Sequence, residues 1–114
     1  MIIEQKPCGE VMVIACGGEF TRNSDGASLL RDAVMEEIAF ARTKIILNLE
    51  RIDAIDSWGV DEIISCRSLL MRSGGRMVIS SFNPKNPLAP RLVARMYTQI
   101  EIFPSEYCAF RSFF

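Results

Sequence analysis

The sequence predicts an α/β fold in which one open, mixed β-sheet is covered by about four α-helices. Short apolar runs of strand type alternate with longer segments of helical spacing, in the order β-β-α-β-α-β-α-β-α. The chain begins with two strand-like runs separated by a turn signal, which indicates an antiparallel hairpin ahead of mostly parallel strands. The 114 residues, 49% of them hydrophobic, are expected to form one domain over residues 1–114.

The first half of the chain supplies the hairpin, a helix and a buried strand. The runs "MIIEQK" and "VMVIAC" are predicted strands joined by Pro7-Cys8-Gly9-Glu10, and Gly17-Gly18 ends the second strand. The segment from Ala27 to Arg42 has apolar residues at helical spacing, with Ser24 or Asp25 as its predicted N-cap. The run "KIILNL" is too short and too apolar for a surface helix, so it is predicted to be a strand buried on both faces.

The second half continues the alternation of strands and helices. A helix is predicted to begin at Ser57 or Trp58 and to end near Ser73, where Gly74-Gly75 supplies a left-handed stop. "RMVISSF" is the next predicted strand, and the proline-rich "NPKNPLAP" is a predicted loop. Pro90 is predicted in the first turn of the short helix "PRLVARMY". "IEIF" is the final short strand, and "PSEYCAF" opens the last helix.

Composition argues against several classes of function. The net charge is -1, with 13 basic and 14 acidic side chains mixed along the chain, so no basic stripe predicts binding to nucleic acid. The chain has no histidine and no glycine-rich phosphate loop, so we expect no enzyme, metal site or cofactor. Adjacent Glu36-Glu37 indicates a solvated helix face. No signal peptide or membrane span of roughly 20 apolar residues is indicated, which predicts a soluble, cytoplasmic protein without membrane insertion.

The four cysteines are predicted to be reduced thiols. Cys8, Cys16, Cys66 and Cys108 include no Cys-x-x-Cys pair, so neither a zinc site nor a thioredoxin-like centre is indicated. A core this apolar does not need disulfides for stability. Cys16 and Cys66 lie in hydrophobic patterns, where a free thiol behaves as a small apolar residue.

The stretch "IDAIDSWGVDEII" places an apolar strand directly before an amphipathic helix, and two interpretations of Ser57 are open. Serine and aspartate are favoured N-caps, because a side-chain oxygen accepts a bond from an unpaired backbone N–H. Alternatively, a partner phosphorylates Ser57, which adds a charge of about -1.5 to -2 near the positive end of the helix dipole. Asp56, Asp61 and Glu62 would repel that phosphate.

Three motifs are similar to those of STAS domains, the family of bacterial anti-sigma factor antagonists. "VMVIACGGEFT" is similar to the family's strand followed by a Gly-Glu-Leu-Asp corner. "KIILNLERIDAIDSWGVDEI" resembles its apolar strand, a loop and Asp-Ser-Ser-Gly before a helix. "IEIFPSEYCAF" resembles the ending in which a short strand meets the final helix through Phe-Pro-Ser. The resemblance covers nearly the whole chain, with the motifs in the family's order.

The resemblance implies a partner-switching function. In the family, a cognate anti-sigma factor that is a serine kinase of the GHKL ATPase type phosphorylates the serine after the aspartate and then releases the antagonist. The unphosphorylated antagonist binds the kinase and frees the sigma factor. By position, Ser57 is the implied phosphoacceptor, and Gly59 would let the partner approach the helix start. The implied partner-binding residues are Asp56, Trp58, Gly59, Thr21, Arg22 and Asn23.

Trp58 is the most informative departure from the family's pattern, because a small hydroxyl residue is usual there. The indole either packs against the loop or is an exposed anchor for a partner. We expect it to contribute to a protein contact or to the rigidity of the Ser57 loop more than to the core. Asn48 and Thr21 each stand where an aspartate is common in the family.

Two further functions remain open at this point. One is a non-phosphorylated STAS structural subunit of a stressosome-like assembly or of a lipid-transport ATPase complex. The other is a module that senses a small molecule or nucleotide. The C-terminal "FRSFF" has three aromatic residues in five, so it either folds back onto the domain or forms a homodimer contact.

Overall fold

The computed structural model describes residues 1–82 and 90–114 and confirms the predicted α/β fold. The five strands of these described residues are β1 (Ile2–Cys8), β2 (Val11–Phe20), β3 (Lys44–Ile55), β4 (Arg76–Ser80) and β5 (Ile102–Phe103). The four helices of the described residues are α1 (Gly26–Ala39), α2 (Ser57–Arg72), α3 (Pro90–Gln99) and α4 (Glu106–Arg111). The predicted "NPKNPLAP" loop falls almost wholly on residues 83–89, outside the described residues.

The sheet has the strand order β1-β2-β3-β4-β5, so each strand pairs with its neighbour in sequence. β1 and β2 form the predicted antiparallel hairpin, in which Cys8 pairs with Val11 across a turn whose Gly9 has a φ of +63°. All other pairs are parallel. β2 and β3 therefore end at the same edge of the sheet, where Phe20 pairs with Ile55.

Helices cover both faces of the sheet. On one face, side chains of α1, α2 and α3 such as Leu30, Ile63 and Met96 form the main core with β2, β3 and β4. On the other face, Ala109 of α4 packs with Ile46 in a smaller cluster. The two clusters explain why "KIILNL" is apolar on both sides of the strand, as predicted.

The C-terminal aromatic residues fold back onto the α4 face in part. Phe110 and Phe113 pack against the smaller cluster, whereas Phe114 is 72% exposed. None of the helices in the described parts of the chain is long and apolar enough to cross a membrane.

Several elements differ from their predicted bounds. Gly17-Gly18 does not end β2, which continues to Phe20 because its last residues still pair with β3. β1 likewise continues through Pro7 to Cys8, which were predicted in the turn. β3 continues to Ile55 instead of ending near Leu49, because its second half keeps pairing with the long strand β2 even where its own side chains are exposed. α1 ends at Ala39, and the chain turns back through Ala41, which has a φ of +58°. Helix α2 ends as predicted, and Gly74 follows it with a φ of +80°.

Glu37 is a correction to the predicted solvated face of α1. Its side chain is 0% exposed and accepts bonds from both Arg42 Nη2 at 2.7 Å and Gln5 Nε2 at 3.3 Å. The hydrogen bond to Glu37 raises the pKa of Arg42. A buried carboxylate is tolerated here because it is paired and hydrogen-bonded.

The cysteines are free thiols in two environments. Cys16 and Cys66 are buried in the main core, as their hydrophobic patterns predicted, and Cys8 and Cys108 are exposed. Burial raises the pKa of both buried thiols to about 12, so they remain protonated and unreactive at neutral pH.

Candidate functional site

Two segments of the chain meet at the edge where β2 and β3 end. β2 leads into the corner formed by residues 21–25, and β3 leads through Asp56 into α2. The Asp56 N–H donates to the Phe20 carbonyl oxygen at 3.4 Å, which extends the β2–β3 pairing to the first residue after β3. The corner and the start of α2 are therefore held side by side.

Asp56 caps α2 and binds the corner at the same time. Its Oδ1 accepts from the Gly59 N–H at 2.9 Å, the bond of an N-cap to the third helical residue. Its Oδ2 accepts from the Arg22 N–H, also at 2.9 Å. One carboxylate thus fixes both segments, and the capping role belongs to Asp56.

Ser57 is the first residue of α2 and is exposed. Within residues 1–82 and 90–114, its hydroxyl makes no hydrogen bond, since the cap bond of the helix is already supplied by its neighbour. The interpretation of Ser57 as a helix cap is therefore wrong. An exposed hydroxyl without a structural bond is available to a modifying partner.

Close packing between α2 and the end of β2 requires a glycine at position 59. It is buried, and an added Cβ would overlap the carbonyl oxygen and the ring of Phe20 and would lie 2.9 Å from Ile55 Cγ1. The bare Cα faces the protein's own strands, so it lets α2 approach the end of β2. Any contribution of Gly59 to a partner surface is through the backbone that it positions.

Trp58 lies outside the core at the surface of the junction. Its side chain is 50% exposed, and the Arg22 guanidinium lies over the indole with Cζ 5.8 Å from the ring centroid. This distance is within the range of a cation–π interaction. The corner therefore contacts α2 through a side chain as well as through the Arg22 backbone.

The corner itself is stiffened by a serine. Ser24 Oγ donates to the Thr21 carbonyl oxygen at 2.9 Å and accepts from the Thr21 N–H at 3.1 Å. Ser24, the alternative predicted cap of α1, also accepts from the Gly26 N–H at 3.3 Å, whereas the N-cap Asp25 makes no side-chain cap bond. Thr21 is half-buried, and Arg22 and Asn23 are exposed.

Two acids that were expected to repel a phosphate on Ser57 are paired with other helices. Asp61 forms a salt bridge with Arg95 of α3. Glu62 Oε1 lies 2.8 Å from Arg31 Nη2 of α1. These pairs bring distant parts of the chain together, so local sequence around Ser57 could not reveal them. They lower the negative potential that the first turn of α2 would otherwise present.

Asn48 lies apart from this site, on the α4 face of the sheet. Its Nδ2 donates to Glu106 Oε1 at 2.7 Å, and its Oδ1 accepts from the Glu50 N–H at 2.9 Å. It borders an open groove of about 1010 Å³ between β1, β2, β3 and α4. Within the described residues, no cluster of three or more potential ligands could hold a metal ion.

Comparison with known proteins agrees with this architecture. The model of the STAS domain family matches residues 5–87. No protein of curated function matches the chain.

Three solved structures illustrate the shared fold. A candidate anti-sigma factor antagonist from Thermotoga maritima is 21% identical, with 96% of this chain and 92% of that chain covered and a TM-score of 0.80. An anti-sigma factor antagonist from Mycobacterium paratuberculosis is 15% identical, with 97% and 92% covered and a TM-score of 0.78. The Bacillus cell fate determinant SpoIIAA in its phosphorylated form is 21% identical, with 99% and 100% covered and a TM-score of 0.71.

Proposed function

Because this chain belongs to the STAS domain family, we propose that it is an anti-sigma factor antagonist, a protein-interaction switch controlled by phosphorylation of Ser57. Its partner is a cognate anti-sigma factor that is also a GHKL-type serine kinase. The unphosphorylated form binds this kinase in the cytoplasm, and the phosphorylated form is released. The exposed Ser57 hydroxyl, which Asp56 frees from any capping role, is the observation that carries the proposal.

The covalent step is a phosphoryl transfer in which this chain is the substrate. A bond forms between Ser57 Oγ and the γ-phosphorus of ATP, the bond from that phosphorus to the bridging oxygen of ADP breaks, and the hydroxyl proton passes to a base of the kinase. Ser57 needs only to be reachable and held in place. Its position on the first turn of a capped helix meets both needs.

The surface around Ser57 supports a protein contact. Trp58 offers a half-exposed indole, and tryptophan and arginine are enriched at binding hot spots. Arg22 and Asn23 extend the exposed surface on the corner side. A phosphate beside this indole brings a charge of about -1.5 to -2 to the contact. An uncompensated charge of that size inside an interface lowers affinity without any change of fold.

SpoIIAA, a structural neighbour, has been solved in unphosphorylated and phosphorylated forms. Because the two proteins share a fold, control by phosphorylation is a reasonable hypothesis to test in this chain. A binding role also fits the composition, which has no histidine to act as a general base.

Calorimetric titration tests the proposal. The titrant is the GHKL-type kinase whose gene lies nearest to the gene of this protein. Ser57→Ala should bind persistently in the presence of ATP, because it cannot be released by phosphorylation. Ser57→Asp should bind at least about tenfold more weakly than wild type, or about 1.4 kcal/mol. Ser68→Asp is the matched control, since it adds the same charge at an exposed serine of the same helix.

Equal affinity of wild type, Ser57→Ala and Ser57→Asp would contradict the phosphorylation switch. Such a result, with co-purification of a stressosome-like assembly or a lipid-transport ATPase, would favour the structural-subunit function instead. A small molecule that binds all three proteins alike would favour a sensor.

A further inference from the structure

Arg22 differs from the other arginines around the site. Arg31 and Arg95 are each held by a carboxylate of α2. In the described parts of the chain, no carboxylate lies within salt-bridge distance of Arg22, and its guanidinium contacts the Trp58 ring. The arginine that borders the proposed phosphoacceptor on the corner side therefore has no anionic partner among these residues.

The backbone of Arg22 is fixed close to Ser57. Its N–H donates to Asp56 Oδ2 at 2.9 Å, and Asp56 is the residue directly before Ser57. The Arg22 backbone therefore lies against the side chain of the residue that precedes Ser57. The guanidinium already reaches the ring of the residue after Ser57. A phosphoryl group on Ser57 would be within the range of the same flexible side chain.

We infer that Arg22 is the phosphate-binding residue of this site, and that its guanidinium leaves the Trp58 ring to pair with the phosphoryl group on Ser57. This inference rests on the proposed function, because the pairing requires a phosphorylated Ser57. Arginine binds phosphate through two parallel N–H donors, which is stronger than an exposed contact with an aromatic face. The exchange therefore favours the phosphate.

Among the charged residues that the structure describes around Ser57, Arg22 is the one available to bind the phosphate. Asp61 and Glu62 are paired with Arg95 and Arg31, so those arginines are already engaged. The Asp56 carboxylate also lies near Ser57, but its two oxygens accept the N–H bonds of Gly59 and Arg22 and stay where those bonds hold them. Arg22 can approach Ser57 without breaking a salt bridge of the described residues.

The exchange has a consequence for regulation. Before modification, the partner meets a half-exposed indole with a guanidinium over one face. Afterwards it meets an indole without that guanidinium, beside an Arg-phosphate pair. Phosphorylation would then alter the shape and the chemistry of the contact as well as its charge. The arrangement of Trp58 and Arg22 on the surface would then differ between the phosphorylated and unphosphorylated forms of Ser57.

The test uses the full chain with phosphoserine installed at position 57 during synthesis, so that it needs no kinase. Trp58 is the single tryptophan of the protein, and its quenching by acrylamide reports how much of the indole is uncovered. The ³¹P chemical shift against pH reports the second pKa of the phosphate. Both are measured with and without the phosphate in wild type, Arg22→Gln and Arg22→Lys. Arg72→Gln is the control, because it removes an exposed arginine at the other end of α2.

In wild type and Arg72→Gln, we expect phosphorylation to increase quenching of Trp58. In Arg22→Gln, quenching should be high already and unchanged by the phosphate. The phosphate pKa should be at least about 0.5 unit higher in Arg22→Gln than in wild type, because a nearby cation favours the dianion. Arg22→Lys should lie between these two, since it keeps the charge but not the two-donor geometry.

An equal phosphate pKa in wild type and Arg22→Gln, or quenching that phosphorylation changes equally in both, would overturn the inference. Either result would leave the proposed function standing if a kinase still modifies Ser57. Conversely, if no kinase modifies Ser57, the synthetic phosphoprotein still gives a result for Arg22.

Discussion

Two strand-to-helix junctions of this protein each pair a serine with an acidic residue, but in opposite order. At the start of α4, Ser105 is the N-cap, and its Oγ accepts from the Cys108 N–H at 3.2 Å. At the start of α2, Asp56 is the N-cap, and the serine is one residue later. The hydroxyl of Ser105 is therefore part of the helix end, whereas that of Ser57 is free of it.

The third helical residue differs between the junctions as well. At α4 it is the exposed Cys108, while at α2 it is the buried Gly59, packed against Phe20. The α2 junction is thus closely fitted to β2 on its inner side and leaves a serine and an indole on its outer side. A shift of one residue in the cap separates a structural serine from one that a partner can reach.

Substitution of the third helical residue is expected to produce the largest difference in stability between the two junctions. Gly59→Ala should lower the free energy of unfolding by about 3 kcal/mol, because its Cβ would overlap backbone and ring atoms of Phe20. Cys108→Ala, the equivalent change at α4, should stay within about 0.5 kcal/mol. Urea denaturation of both variants measures the difference. Similar values for the two would mean that the α2 junction is not closely fitted.

Removal of the two caps is expected to have the next largest effect. Asp56→Ala should destabilise by about 2 kcal/mol, since it loses the cap and the bond to the corner. Ser105→Ala should lose about 1 kcal/mol, because only one cap bond is removed. Amide hydrogen exchange should show faster exchange at Arg22 in Asp56→Ala alone. If Arg22 stays protected there, Asp56 does not hold the corner.

Trp58→Ala should have a smaller effect on stability. The half-exposed indole lies outside the core, so we expect a loss of about 1 kcal/mol together with weaker capture of the proposed kinase partner. Thermal denaturation and titration of the same sample measure both quantities. A loss of about 3–5 kcal/mol, the range for emptying a core aromatic site, would make Trp58 a core residue instead.

Ser57→Ala should have the smallest effect on the fold. Its hydroxyl bonds to nothing among the described residues, so the free energy of unfolding should change by less than about 0.5 kcal/mol. Ser105→Ala is the matched control, with its expected loss of about 1 kcal/mol. If denaturation shows the two serines to be equally costly to remove, Ser57 has a structural role.

Local sequence predicted the strand-to-helix junction at Ser57 but not the contacts that hold it. The alternation of apolar runs gave the order of strands and helices, and the motif around Ser57 located a strand-to-helix junction at the carboxyl edge of the sheet. The bond from Arg22 to Asp56 and the salt bridge from Arg95 to Asp61 join residues 34 apart in each case, so no short pattern contains them. Long-range pairing of this kind is determined only by the folded arrangement.

The burial of Glu37 is indicated by its spacing from the apolar residues of α1. It lies seven residues after Leu30 and three after Val34, which places it on the buried stripe of α1. Adjacent acids usually mark a solvated face, but this spacing indicates an inward position that requires a cation. Arg42, five residues later, supplies that cation.

Phosphosite mapping most directly tests whether Ser57 is the serine that a partner reads. The protein would be isolated from its own cells with phosphatase inhibitors and analysed by tandem mass spectrometry. We expect phosphate on Ser57 and none on Ser105, whose hydroxyl is committed to the α4 cap. Phosphate on Ser105, or the absence of phosphate on Ser57 in every growth phase, would contradict the central claim.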